Sequence, residues 1–208
     1  MSLQAKICGL RKKIEVETAI KHGAALCGFI LNYPNSHRHI KNLEEVKFLM
    51  DLKKGKTRTV GVLVNPNDAE LKKIKKLKFD FIQLHGDESL DRIKEIKRKH
   101  KFKIIKAIKV KIKKDILKYR IYNKDVDILL FDGVGYEKSI AFDHKWLEDV
   151  KEKLIPIMIA GNITSETNLE NIPKIVDYVD VSGNLETNKK KDLTKIVNFL
   201  SKFKSYEK

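Results

Sequence analysis

The stretch Ile128-Leu129-Leu130-Phe131-Asp132-Gly133 runs through four apolar residues without alternation, then stops on an acid followed by a glycine. A strand that is apolar on both faces belongs in a parallel sheet covered on both sides. The same punctuation recurs at Cys8-Gly9, Gly28-Phe29, Val64-Asn65, His85-Gly86, Gly161-Asn162 and Ser182-Gly183, each followed by an amphipathic stretch. In a closed β/α barrel the strand ends gather around one mouth, where the active site lies. Residues scattered over the whole sequence would then meet in one pocket.

Working outward, the pattern predicts strands over Gln4 to Cys8, Ala25 to Leu31, Thr57 to Val64, Phe79 to Leu84, Phe102 to Ile108, Val126 to Phe131, Ile155 to Ala160 and Ile175 to Val181. Between them, helical spacing is expected over Lys13 to Lys21, with Gly23 as its stop, and after Asn42, with Gly55 ending it. Asn42 with Glu45, and Asn67 with Glu70, read as capping boxes. Leu90, Ile93 and Ile96 mark a fourth helix. A short helix is expected around Asp115 to Tyr119, another over Asp143 to Lys151, one capped by Thr164, and a closing one over Leu193 to Phe203. About eight β/α units of roughly 26 residues are compact for a barrel that usually takes about 250. An open doubly wound sheet is the structural alternative, but neither GxGxxG nor GxxxxGK[ST] occurs.

The 208 residues suit one domain, expected to span 1–208, with a sizeable core and no linker. The first ten residues lack a long apolar run, and segments such as Ile155 to Ala160 are too short to cross a bilayer. The expectation is a cytoplasmic protein with no membrane partner. Two cysteines, Cys8 and Cys27, make neither a disulfide framework nor a four-ligand zinc site. The formal charge of +16 raises the question of nucleic acid. It is carried mostly by lysines on solvated helix faces, as in Leu71-Lys72-Lys73-Ile74-Lys75-Lys76-Leu77, without interleaved aromatics for base stacking. No nucleic-acid partner is expected; a positive field that attracts phosphorylated small molecules is.

Cys8, before Gly9, reads blandly as a buried inert thiol, and functionally as a base if nearby positive charge stabilises its thiolate, with Lys6 and Arg11 as candidates. Asp132 reads as a turn residue or as a carboxylic acid kept neutral by burial, able to donate a proton. Together they would form a base–acid pair across a mouth. Gly161-Asn162 and Ser182-Gly183 follow the last two strands, where barrels often bind phosphate on backbone N–H groups. Arg38 is a candidate bidentate partner for a carboxylate. His85 is expected to line the pocket by hydrogen bonding. His37 and His39 lack a third ligand at a recognisable spacing, so no metal site is expected. Asp180 reads as structural and Cys27 as core.

Taken in order, these segments resemble the phosphoribosylanthranilate isomerase family, the β/α-barrel isomerases of tryptophan biosynthesis. The resemblance is carried by Lys6-Ile7-Cys8-Gly9, Gly23-Ala24 through Ile30, Ser36 through Arg38 and Val60 through Asn65. It continues through Gln83-Leu84-His85-Gly86, Leu129 through Asp132, Phe142-Asp143, Ala160-Gly161, Asp180-Val181-Ser182, Glu186 and Lys191-Asp192. It implies an α/β fold of the (β/α)8 TIM-barrel, ribulose-phosphate-binding type. It also implies an Amadori rearrangement of N-(5-phosphoribosyl)anthranilate, with Cys8 as general base, Asp132 as general acid and Arg38 on the anthranilate carboxylate. The phosphate would sit on Gly161-Asn162 and Ser182-Gly183. No metal or organic cofactor is implied, and the chain would work as a monomer or homodimer.

The departures are local. Ser36-His37-Arg38 replaces the family's Ser-Pro-Arg after a loop one residue longer, and Tyr136 to Ser139 replaces a Gly-rich segment. Asn162 takes the second position of Gly-Gly, Gly183-Asn184 stands where Ser-Gly is common, and Arg11 replaces a frequent Thr. Other phosphate-binding barrels are the enzymatic alternatives. An indole-glycerol-phosphate synthase would call on Lys106 or Lys109 and a Glu at the mouth; a ribulose-phosphate epimerase would need paired Asp with metal-binding His. A basic binding module on a barrel scaffold is the non-enzymatic alternative.

Overall fold

The computed structural model describes residues 2–135, 141–204 and 206. Eight strands, β1 (Gln4–Cys8), β2 (Leu26–Ile30), β3 (Arg58–Leu63), β4 (Phe81–Leu84), β5 (Ile104–Val110), β6 (Ile128–Gly133), β7 (Ile157–Ile159) and β8 (Tyr178–Val181), close into a barrel. Each pairs in parallel with the next, and β8 returns to β1 with Lys6 opposite Asp180. The closed barrel replaces the open-sheet alternative.

Alternation along the strands sorts the core into two layers. Leu26, Val60, Val62, Phe81, Ile105, Ile128, Leu130, Met158 and Tyr178 cluster together and fill the barrel. Ile7, Cys27, Phe29, Leu63, Ile82, Leu84, Ile104, Phe131 and Val179 belong to the outer layer beneath the helices. The parity that puts Leu130 inside also puts Asp132 inside, one step nearer the mouth. Likewise Lys6 and Cys8 share the inner face of β1.

The helices follow their sequence signals closely where the apolar period is strong. They are α1 (Lys13–Lys21), α2 (Leu43–Met50), α3 (Asp68–Lys75), α4 (Leu90–His100), α5 (Tyr119–Tyr122) and α6 (Leu193–Lys204). Asn67 and Glu70 form the expected reciprocal cap, at 2.9 and 2.8 Å. Asn42 caps α2 without a box, accepting the Glu44 N–H at 2.9 Å, and the helix stops at Met50, well short of Gly55.

Three expected helices are instead short 3₁₀ segments, over Lys113–Lys118 leading into α5, His144–Asp149, and Leu169–Asn171. Each holds one buried residue with a buried partner three positions on, just past its end: Ile116 with Tyr119, Leu147 with Val150, and Leu169 with Ile172. A three-residue period suits the tighter helix, which stacks i over i+3. The last of them is capped by Asn168, while Thr164 accepts the Glu166 N–H in a preceding turn. Beyond β8, two short strands, β9 (Glu186–Thr187) and β10 (Lys190–Lys191), make an antiparallel hairpin before α6. No helix among the described residues is long and apolar enough to cross a membrane.

Candidate active site

At the C-terminal mouth the strand ends line a cavity of about 490 Å³. Its wall includes Cys8, Arg38, His85, Asp132, Gly161, Asn162, Ser182 and Gly183. Residues from β1, β4, β6, β7, β8 and the loop after β2 therefore face one space, as the strand-end pattern predicts.

On one side, Cys8 ends β1 at 7% exposure, above a fully buried Lys6 whose Nζ lies 2.6 Å from Asp180 Oδ2. Burial pushes the Cys8 thiol above its ordinary value, the Lys6 ammonium pulls it back, and the Asp180 and Lys191 charges act in opposite directions with the rise prevailing. Burial alone would lower the Lys6 ammonium, but Asp180 and Cys8 outweigh it and keep Lys6 charged. Arg11 takes no part: its guanidinium donates to the His37 carbonyl at 2.7 Å, bracing the loop after β2.

Across the barrel, Asp132 ends the apolar run of β6. Its Oδ2 lies 3.4 Å from His85 Nε2, and His85 Nδ1 lies 2.8 Å from Gln83 Nε2. Asp132 Oδ1 is buried and has no hydrogen-bond partner among the described residues. Beside it, Gly161 and Asn162 both hold positive φ, 88° and 57°, a conformation that Asn tolerates better than most residues.

The third group is built on Glu186, at the start of β9. Arg38 Nε and Nη2 donate to its two carboxylate oxygens at 2.6 and 3.0 Å, and Lys191 Nζ meets Oε1 at 2.9 Å. His37 Nε2 lies 2.9 Å from Oε2. Burial would raise the Glu186 carboxyl, but these partners hold it down at about 2. The bidentate fork of Arg38 thus already grips an internal carboxylate, with its aliphatic stem packed over Gly9. Gly9 holds φ at 76°, and a Cβ there would collide with Arg38 Cδ at 2.5 Å. His39 is turned away, its Nε2 3.1 Å from the Leu31 carbonyl.

The family model for N-(5'-phosphoribosyl)anthranilate isomerase matches residues 5–202. The chain belongs to the phosphoribosylanthranilate isomerase family. With the family comes its class: an isomerase, serving tryptophan biosynthesis. The N-(5'-phosphoribosyl)anthranilate isomerase of Thermoanaerobacter pseudethanolicus is 35% identical over 207 residues, covering 96% of this chain and 97% of its own. The phosphoribosyl anthranilate isomerase of Thermotoga maritima superposes with a TM-score of 0.86 at 25% identity, covering 98% of this chain and all of that one. A further isomerase structure, in complex with reduced 1-(o-carboxyphenylamino)-1-deoxyribulose 5-phosphate, gives 0.84 at 24% identity with 98% and 100% coverage.

Membership in the isomerase family agrees with what the lysines of β5 do. Lys106 pairs with Glu88 at 2.7 Å and Lys109 with Asp87 at 3.0 Å, and neither lysine lines the cavity. The residues that sequence reasoning undervalued are Asp180, which lines the cavity and holds Lys6, and the cluster of Glu186 and Lys191. The signal was parity. Lys6 shares a strand face with Cys8, and an acid inside Val179-Asp180-Val181 needs a buried cation. The replaced loop from Tyr136 to Ser139 lies outside the described residues.

Proposed function

We propose that the chain converts N-(5'-phosphoribosyl)anthranilate to 1-(o-carboxyphenylamino)-1-deoxyribulose 5-phosphate by general acid–base catalysis, with Cys8 as base and Asp132 as acid. Asp132 protonates the ribose ring oxygen, and the C1–O bond breaks to leave a Schiff base between C1 and the anthranilate nitrogen. The Cys8 thiolate then takes the proton from C2, and the electron pair moves to give an enolamine. Ketonisation at C2 with protonation at C1 yields the product. Only protons and electron pairs move within one molecule, so atoms balance without a co-reactant.

The observation that carries this reading is the shared cavity, with a thiol beside a buried ammonium on one wall and, on the other, a carboxyl oxygen with no hydrogen-bond partner among the described residues. Lys6 offsets the charge of the Cys8 thiolate. His85 Nε2 lies beside one oxygen of Asp132, at 3.4 Å, leaving Oδ1 to deliver the proton. The phosphate is assigned to the backbone N–H groups of Gly161-Asn162 and Ser182-Gly183, and the anthranilate carboxylate to the outer N–H groups of Arg38, whose inner fork Glu186 holds.

The test follows the loss of substrate fluorescence with purified protein. Cys8→Ala and Asp132→Asn should each lower turnover by at least ~100-fold with the fold intact, the scale of general acid–base groups. A near-normal rate in either variant removes that residue from its role. Arg38→Ala should act mainly on KM; a large loss at saturating substrate would reassign it.

A further inference from the structure

Behind the cavity wall lies a second buried ion pair that these proton transfers do not use. Lys106 stands on β5 between Ile105 and Ala107, both members of the barrel-filling cluster, so its own side chain turns to the helix layer. There its Nζ lies 5.9 Å from the Tyr122 ring centroid and 2.7 Å from Glu88 Oε2, with both side chains at most 4% exposed. Glu88 belongs to the segment joining β4 to α4, and it does not line the cavity.

The hydrogen bonds of this pair converge on one glycine. Glu88 Oε1 accepts the Gly86 N–H at 3.1 Å and the Asn65 N–H at 2.9 Å, while Lys106 Nζ donates to the Gly86 carbonyl at 2.8 Å. Both backbone polar groups of Gly86 therefore end on the ion pair. No side chain could stand there, because a Cβ on Gly86 would run into Asn65 Oδ1, which accepts the Asp87 N–H at 2.9 Å. Asp87 in turn pairs with Lys109. The residue before Gly86 is His85, the neighbour of Asp132 Oδ2.

We infer that the Lys106–Glu88 pair is a positioning device for the active site: by clamping both peptide groups of Gly86, it fixes the His85 ring against Asp132. Apolar side chains of the same volume would fill this space without the cost of desolvating two charges. What the charges add is direction, a set of bonds that hold one loop in one place. A displacement of about 1 Å at a catalytic group can cost up to ~100-fold in rate, so the clamp acts on turnover rather than on substrate affinity. The inference rests on the reading of Asp132 as the acid.

The test is a cycle between the pair and His85. The variant Lys106→Met/Glu88→Gln removes both charges together and keeps an acceptor at position 88 for the two N–H groups. It should lower kcat by about 10-fold while KM stays within about 2-fold, measured per folded molecule. In a His85→Ala background the same double replacement should change kcat by less than about 2-fold, because the element it positions is gone. A kcat within about 2-fold of the parent, or an undiminished loss on top of His85→Ala, overturns the inference. If the double variant does not fold, Glu88→Gln alone carries the same cycle; its loss should also vanish without His85, and persistence overturns the proposal. Normal turnover in Asp132→Asn would instead retire the acid assignment and leave the coupling between the pair and His85 to be read on its own.

Discussion

Cys8 sits in opposing fields, and its reactivity should report them. Burial raises the thiol above its ordinary 9.0 while Lys6 works against that rise. Alkylation of Cys8 by iodoacetamide should therefore be slow at pH 7 and still accelerating at pH 9, followed by mass spectrometry, because the thiolate is the reacting form. Lys6→Met should push the profile further up the pH scale; an unchanged profile would show that the ammonium does not reach the sulfur. Cys27, held up to about 12 on the outer face of β2, serves as the slow internal reference. Glu186 makes the opposite prediction for stability. Its carboxyl falls from 4.5 to about 2 on folding. A depressed value stabilises the folded state above the unfolded pKa, and that stabilisation drains away as pH falls from 4.5 towards 2. A shift of that size is worth at most about 3.4 kcal/mol, and less once solvent screening of the half-buried group is allowed for. Urea midpoints of Glu186→Gln should thus fall less between pH 5 and pH 2.5 than those of the parent, and equal slopes would remove Glu186 from the account.

The hairpin of β9 and β10 turns through Asn188 and Lys189, both at positive φ, 51° and 59°. Two such residues in a two-residue connection make a type I′ turn, for which Gly is the preferred second residue. Lys189→Gly should raise stability by about 0.5–1 kcal/mol, read as a higher melting temperature, since a lysine in the left-handed region carries a Cβ clash. No gain would mean that the side chain returns that amount through contacts at the cavity it lines. At this scale the sequence was easiest to read where burial repeats strongly. The strands were recognisable to within a few residues, because an apolar run stopping on a small or charged residue leaves one interpretation. The spacing at Lys113–Lys118, His144–Asp149 and Leu169–Asn171 suggests helix, short in the first and last case, where the chain forms 3₁₀ turns. Each has one buried position and a second three residues on, just past its end, too few to separate a period of 3.0 from 3.6. Partnerships across the barrel were the hardest to foresee. Lys6 and Asp180 lie 174 residues apart, and a strand pattern alone cannot name which of the buried ions meet.

Across the whole molecule, 44 basic residues face 28 acidic ones, and the surplus is spread over the helix faces. Such a field concentrates anions and is screened within about 10 Å at 0.1 M salt. KM for the phosphorylated substrate should rise by about threefold between 0.05 and 0.5 M sodium chloride with kcat steady; a flat KM would leave recognition to contacts inside the cavity. The barrel itself could be read from seven recurrent stops, whereas the helix-side clamp behind Gly86 could not, since nothing in the spacing of Glu88 and Lys106 announces a pair. The closure of β8 onto β1 has a further bearing on how the protein is born. The thiol on β1 is synthesised before the other seven strands, but the carboxylate that steadies its companion lysine arrives only with the last of them. A nascent chain halted before the last strand would carry its reactive sulfur beside an unmatched ammonium, on an open sheet with no hollow to work in.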